Sequence, residues 1–199
     1  TLVAKGFKVA VCEQTEDPKH AKGVVKREVV QVITPGTIME GKTLDGKTNH
    51  FIAAAEALSQ NEIAFAYLDV STGEANTSII EGSAKELTQQ LQAYAIKEVI
   101  VTEQLQLLMA DYAETSGIVL SLEQQEMDDV RAAQYVSGLP MPLQPVAKRL
   151  LQYVERTQMR SLSHIQAFTY TEAASYLRID TNSKRNLELI QSIRGGDAK

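Results

Sequence analysis

The sequence predicts an α/β protein built on a mixed sheet with helices packed against it. Three apolar runs at 51–55, 63–70 and 75–80 are separated by short polar turns, which is typical of an antiparallel meander. Between 84 and 120, helical spacing of apolar residues alternates with two short strand-like runs. With 199 residues and 44% hydrophobic composition, the chain can bury a sizeable core. Meander, helix, strand, helix, strand is a typical α/β order.

The N-terminal part is predicted to contribute two strands, at 7–12 and 24–33, to a partial α+β segment. The first run alternates in polarity and follows Gly6, which is typical of a helix end, and the second run is rich in β-branched residues. The turn 34–37 ends the second strand, and residues 39–48 have linker composition. We therefore predict that residues 1–38 form one unit and 39–48 a linker.

A helix and two further strands are predicted after the meander. Ser83 and Glu86 fit a capping box for a helix over 84–95, with apolar residues at Leu87, Leu91, Tyr94 and Ala95. Strands are predicted at 98–101 and 118–120. The helix between them, ending at Gly117, should bury one stripe: Leu105, Leu108, Met109 and Tyr112.

Residues 137–145 hold three of the five prolines and indicate a second boundary or a surface loop. A helix follows over about 145–158, with Val146, Leu150, Val154 and Thr157 on one face. Beyond it, residues 165–177 include strand-compatible runs, and a last helix is predicted with its cap at Asn182 or Ser183. The first residue is not Met and the end follows a helical pattern, so we expect a piece of a longer protein.

Charge is distributed unevenly along the chain. Residues 1–48 hold 8 Lys/Arg against 6 Asp/Glu, residues 49–143 hold 3 against 14, and residues 144–199 hold 9 against 5. The net charges are therefore +2, −11 and +4. Residues 49–143, the central segment, carry −11 and repel a phosphate backbone, so their expected partners are protein surfaces.

Several classes of protein are excluded or disfavoured by absent patterns. The single cysteine, Cys12, allows no intramolecular disulfide, and no apolar run approaches membrane-spanning length, so we expect a cytoplasmic protein without membrane contact. The sequence has no phosphate loop, no glycine-rich dinucleotide motif and no metalloprotease helix motif. The three histidines, His20, His50 and His164, are isolated, and a metal site is not expected.

The alternative function is a metal-dependent nuclease that uses Asp69. An Asp in an apolar first strand, followed by a small-residue turn such as 71–73, is how ribonuclease H-like nucleases present a metal-binding carboxylate. Two-metal chemistry needs further carboxylates, and Glu86 and Asp111 are the candidates. Because Glu86 fits a helix cap and Asp111 lies opposite an apolar stripe, the residues favour Asp69 as a strand-end or turn residue.

Three ordered stretches closely resemble the MutS family of DNA mismatch repair proteins. They are residues 9–14 with Asp17-Pro18, residues 25–30 continuing through 34–37, and Ile179-Asp180 with 185–189. The resemblance implies that 1–38 ends the mismatch-recognition domain, that 49–160 is the connector domain with a ribonuclease H-like fold, and that 161–199 begins the lever, or core, domain.

The resemblance also implies a role without catalysis for this part of the chain. The family reads a mispair with a Phe-x-Glu motif, and none of the four Phe residues here has a Glu two positions later. The ATP-binding phosphate loop is equally missing, so ATP and Mg²⁺ would belong to the complete protein and no cofactor to this part. The connector would relay nucleotide-driven rearrangement and offer a docking surface for MutL.

Contact with mismatched double-stranded DNA is expected through the complete protein, which the resemblance implies is a homodimer. Within this chain, Lys22, Lys26 and Arg27 are the residues that we expect nearest to DNA phosphates, with solvated strand edges as the alternative. Catalytic, cofactor-binding and metal-binding residues are not expected in this chain.

Overall fold

The computed structural model describes residues 2–17, 23–37, 50–159 and 161–172. No helix within these ranges is long and apolar enough to cross a membrane. The predicted linker at 39–48 and the predicted last helix lie outside the described residues, as does Lys22.

A small two-stranded sheet is formed by the N-terminal part. Strands β1 (Val9–Gln14) and β2 (Arg27–Ile33) pair antiparallel, with a bulge between Val11 and Cys12. A short 3-10 helix, Val3–Lys5, precedes them and ends at Gly6, whose φ of 86° is the left-handed conformation that glycine adopts without strain. The prediction of two strands is confirmed. β2 begins at Arg27 instead of Val24, which is fully exposed.

The predicted meander forms the centre of a six-stranded sheet. Strands β3 (Phe51–Ala57), β4 (Glu62–Asp69) and β5 (Ala75–Glu81) pair antiparallel in sequence order. Their inner residues are small or apolar on both faces, and Ala53, Ala54, Ala55, Ala64 and Ala66 are fully buried. Small side chains let helices pack closely on both sides of these strands.

Two parallel strands extend the sheet beyond β3. Helix α1 (Ala84–Ala93) leads to β6 (Glu98–Val101), and α2 (Glu103–Ser116) leads to β7 (Val119–Leu122). β6 pairs parallel with β3, and β7 pairs parallel with β6. The four residues of β6 are buried, as expected for an interior parallel strand covered on both faces.

The remaining elements cover the other face of the sheet. Helices α3 (Asp129–Val136) and α4 (Gln144–Gln158) pack there, and the short strand β8 (Thr169–Tyr170) pairs parallel with β5. The strand order is β7-β6-β3-β4-β5-β8. The α/β prediction of a mixed sheet with flanking helices is therefore confirmed.

Some predicted details are wrong. The stripe on α2 buries Leu105, Met109 and Ala113, whereas Leu108 is 58% and Tyr112 41% exposed, because the buried stripe is narrow and takes only every fourth residue. The proline-rich segment 137–145 is in part a surface loop, since five of its nine residues are exposed. It contains the 3-10 helix Met141–Leu143 and buries Leu139 and Leu143 in the core shared by α3 and α4.

Candidate functional site at the junction of the two sheets

The small sheet β1–β2 lies against helix α4 and the edge of the six-stranded sheet. The side-chain amide of Gln31 on β2 donates to the Oε1 of Gln158 near the end of α4, at 3.2 Å. The Nζ of Lys8 lies 5.1 Å from the centre of the Tyr153 ring on the same helix. A Cβ placed on Gly6 would lie 3.4 Å from Val119 on β7, the edge strand. These contacts define a junction between the two sheets.

The turn at 34–37 enters this junction and is buried although it is polar. Thr34 and Thr37 are 0% and 7% exposed. The backbone N–H of Thr34 donates to the Thr37 hydroxyl at 2.9 Å, and the backbone N–H of Thr37 donates to the Thr34 carbonyl at 3.0 Å. Because the two threonines satisfy each other, the turn can be buried without unpaired polar groups.

Glu98 is the central residue of the junction. It is the first residue of β6, and its side chain is 0% exposed. Its Oε1 accepts hydrogen bonds from the hydroxyls of Tyr153 and Ser121, each at 2.6 Å, and its Oε2 accepts one from the backbone N–H of Gly36 at 2.9 Å. This carboxylate therefore joins α4, β7 and the turn that follows the small sheet.

Gly36 fits this place because there is no room for a side chain. A Cβ at this position would lie 3.0 Å from the Cβ of Glu98 and 3.1 Å from the Cγ1 of Ile52 on β3. Both distances are shorter than an ordinary van der Waals contact between carbon atoms. The close approach of the Gly36 backbone is what brings its N–H within reach of Glu98.

Tyr153 is held between the charged groups of the junction. Burial, and then the neighbouring negative charge of Glu98, raise the pKa of the Tyr153 hydroxyl above its ordinary value of 10.0. Its ring also faces Arg156, whose guanidinium carbon lies 5.6 Å from the ring centre and which pairs with Glu123 at 2.8 Å. Cations over an aromatic face are attracted by its quadrupole, so Lys8 and Arg156 both favour this ring position.

A second group of polar contacts lies in the turn between β4 and β5. Asp69, at the end of β4, is 1% exposed and accepts hydrogen bonds from the Ser71 backbone at 2.8 Å, the Ser71 hydroxyl at 2.5 Å and the Thr72 backbone at 3.3 Å. These bonds close the β4–β5 turn. The expectation that Asp69 is a turn residue is confirmed.

Residues 162–166 pack against the β4–β5 turn. Gly73 has a φ of 81°, and a Cβ there would lie 2.0 Å from the carbonyl oxygen of His164. The backbone N–H of Gln166 donates to the Gly73 carbonyl at 2.9 Å, and the Nε2 of His164 lies 3.0 Å from the Val70 carbonyl. Polar contacts therefore hold the six-stranded sheet to the segment before β3, through Gly36, and to the segment after α4, through Gly73.

Ion pairs fasten helix α4 over the sheet. Arg149 is 6% exposed, and its guanidinium binds Glu56 of β3 at 2.6 Å and Glu126 at 3.2 Å. Lys148 binds Glu126 and Asp129 at 3.2 and 3.0 Å, and the hydrogen bond that its ammonium group donates to Asp129 is the main reason that the pKa of Lys148 is raised. Part of the acidity of the central segment is therefore neutralised inside the fold.

The residues proposed for metal chemistry are not brought together. Glu86 accepts from the backbone N–H of Ser83 at 2.8 Å, which completes the predicted capping box and lowers the pKa of Glu86. Asp111 is exposed on α2, opposite its buried stripe. In the described ranges, no three His, Cys, Asp or Glu side chains are grouped so that they could hold a metal ion.

Of the residues predicted near DNA, Lys26 directly precedes β2 and Arg27 begins it. Lys26 and Arg27 are exposed, and the Nζ of Lys26 lies 2.5 Å from Glu28, whose hydrogen bond raises the pKa of Lys26. Sequence analysis missed Glu98 and Gly36. The available signal was a Glu directly before the apolar run 99–101, a position where burial of a charge requires partners.

Comparison with known proteins gives two matches to family models along the chain. Residues 1–42 match MutS domain I, and residues 50–166 match MutS domain II. The DNA mismatch repair protein MutS of Lysinibacillus sphaericus is 66% identical over 199 residues, 100% of this chain and 23% of that protein. Those of Shouchella clausii and Listeria welshimeri are 42% and 40% identical over 195 and 197 residues, which are 97% and 98% of this chain.

Fold and junction together define a mixed α/β protein in which a small sheet is held to a larger one through buried polar contacts. The domain II match covers more than half of the chain. The chain therefore belongs to the MutS family of DNA mismatch repair proteins, as the three ordered stretches indicated. It spans about a quarter of the length of the curated relatives that it matches.

Proposed function

We propose that this chain is the connector-centred part of a mismatch repair protein and that it relays conformational change without performing catalysis. The division into the end of a mismatch-recognition domain at 1–38, a connector at 49–160 and the start of a lever domain at 161–199 belongs to this proposal. The observation that supports it best is that two segments, 34–37 before β3 and 162–166 after α4, are bound to the six-stranded sheet by polar contacts. A movement of either segment would therefore act on the same sheet.

The topology supports a ribonuclease H-like fold for the connector. An antiparallel meander is extended by two parallel strands beside its first strand, in the order β5-β4-β3-β6-β7. Asp69 ends β4, which is the second strand of the meander and pairs with the first strand, β3. Because the Asp69 carboxylate is used by the turn, we propose the fold without the nuclease activity.

In the complete protein, we propose that other parts bind mismatched DNA and hydrolyse ATP with Mg²⁺, and that the protein works as a cytoplasmic homodimer. The names of the relatives describe DNA mismatch repair proteins, which supports the DNA partner. MutL is the partner that we propose for the connector, whose central segment is acidic. Lys22, Lys26 and Arg27 remain our proposed phosphate neighbours, and the slope of DNA affinity against salt concentration in K26A and R27A variants measures their contribution.

The relay is tested by Gly73→Ala in the complete protein. The new Cβ would collide with the His164 carbonyl and displace residues 162–166, which lead to β8. We expect the affinity for the mismatch to be preserved and the ATP-driven release from the mismatch to slow, because mismatch recognition would no longer be coupled to the lever domain. Fluorescence anisotropy of a labelled mismatched duplex, before and after ATP addition, measures both quantities.

Gly117→Ala is the matched control for this experiment. Gly117 also has a positive φ, 69°, but a Cβ there would meet nothing within 4 Å. Both variants carry the same kind of backbone strain, and only Gly73 touches residues 162–166. Equal ATP-driven release in the two variants would contradict the relay.

A further inference from the structure

Glu98 is a buried carboxylate whose partners are all neutral donors. Removing a carboxylate from water costs several kcal/mol, which an ion pair can offset. Among the described residues, the ion pairs of the acidic side chains do not include Glu98. A hydrophobic side chain of similar size would avoid that cost but would leave the donors of Tyr153, Ser121 and Gly36 unpaired, so the contribution of Glu98 lies in the groups that it holds.

The two carboxylate oxygens of Glu98 bind different parts of the molecule. Oε1 binds Tyr153 and Ser121, which belong to α4 and β7 and so to the six-stranded sheet and its helices. Oε2 binds the Gly36 N–H, which belongs to the turn directly after the small sheet. The first oxygen fixes the side chain in place, and the second is thereby presented to the turn in one position.

We propose that Glu98 is a positioning residue that sets the orientation of the small sheet on the six-stranded sheet through the Gly36 N–H. A hydrogen bond to a charged acceptor depends on direction, whereas an apolar contact allows the turn to slide. The absence of a side chain at Gly36 is the complementary half of this contact, because a Cβ there would press on both Glu98 and Ile52. This role concerns the junction alone and does not depend on the relay proposed for the complete protein.

Hydrogen exchange of the 199-residue chain tests this role with Glu98→Gln. Glutamine keeps the size of the side chain but has one acceptor oxygen, so it cannot accept from both the hydroxyls and Gly36. We expect exchange in residues 27–37 to accelerate about tenfold, which corresponds to the loss of one hydrogen bond, while β4 exchanges as in the unaltered chain. Glu56→Gln is the control, because it removes a carboxylate that binds Arg149 and leaves the junction intact.

Gly36→Ala gives the same test from the other side of the contact. It leaves every side chain of the six-stranded sheet unchanged, so it decides the question if the E98Q chain does not fold. Local acceleration in 27–37 supports the proposal, and the double variant should then exchange no faster than the faster single variant, since both remove one contact. Unchanged exchange in 27–37, or equal acceleration in β4, would overturn it.

Discussion

The two faces of the six-stranded sheet are packed by different kinds of contact. The face under α1 and α2 is apolar and aromatic, with Phe65 fully buried and Tyr67 stacked on Tyr94 at a ring distance of 4.8 Å. The face under α3 and α4 also carries Glu98 and Glu56, which bind Tyr153 and Arg149 of α4. The second face is the one that receives the small sheet and the segment 162–166.

The difference teaches that stability and orientation are supplied by different faces. Apolar burial is favourable but has little directional preference, so it suits a face that holds the domain together. Buried polar groups cost desolvation energy and depend on geometry, so they suit a face to which other segments must be attached in one arrangement. Three substitutions test this division between the two faces.

The largest loss is expected for Phe65→Ala on the apolar face. The ring is 0% exposed, and its removal leaves a cavity between the sheet and α1, so we expect a loss of about 4 kcal/mol in the free energy of unfolding. Urea denaturation followed by circular dichroism measures this loss. Leu107→Ala on α2 is the control, because Leu107 is 81% exposed and should change stability by less than about 0.5 kcal/mol. Similar losses in both variants would contradict the assignment of this face as the stabilising one.

An intermediate loss is expected for Arg149→Met on the polar face. Methionine retains the apolar stem, but Glu56 loses its cation and Glu126 keeps Lys148 alone. Both carboxylates are about a third exposed and can be hydrated, so we expect about 2 kcal/mol, less than for a fully buried pair. The same denaturation experiment measures it. Adding Glu56→Gln to this variant should restore part of the stability, and a further loss of the same size would speak against direct pairing.

The smallest loss at neutral pH is expected for Tyr153→Phe, because one hydrogen bond to Glu98 is removed and two remain, at about 1 kcal/mol. Its pH dependence is more specific. The folded state raises the pKa of Tyr153 above 10.0, so the protonated form is favoured on folding and its contribution is complete below pH 10. As the pH rises above 10, the unaltered chain must lose this contribution.

The Tyr153→Phe chain lacks this titration, so its stability should fall less steeply above pH 10. Urea midpoints measured between pH 8 and about pH 11 give both slopes. Tyr135→Phe is a suitable control, because the Tyr135 hydroxyl donates to the Leu162 carbonyl and not to a carboxylate. Parallel curves for the Tyr153→Phe chain and the unaltered chain would be inconsistent with a raised pKa at Tyr153.

Much of the fold could be predicted from the sequence because its signals are local. The meander, the capping box at Ser83 and Glu86, and the buried stripe of α4 all depend on residues two to four positions apart. Helix α3 was not predicted, since it has eight residues and its buried residues Ala132, Tyr135 and Val136 give a short period. Propensity and periodicity are weak for such a segment, and packing against α4 decides its conformation.

The candidate site was predicted less well because its contacts join distant positions. Sequence alone determined the α/β class, the order of the strands along the chain and the uneven charge. The tertiary structure decided that Glu98 meets Gly36, Ser121 and Tyr153, and that basic residues of α4 neutralise acidic ones of the central segment. The physical reason is that local periodicity specifies which face of an element is buried, whereas the partner across that face depends on the order of strands in the sheet.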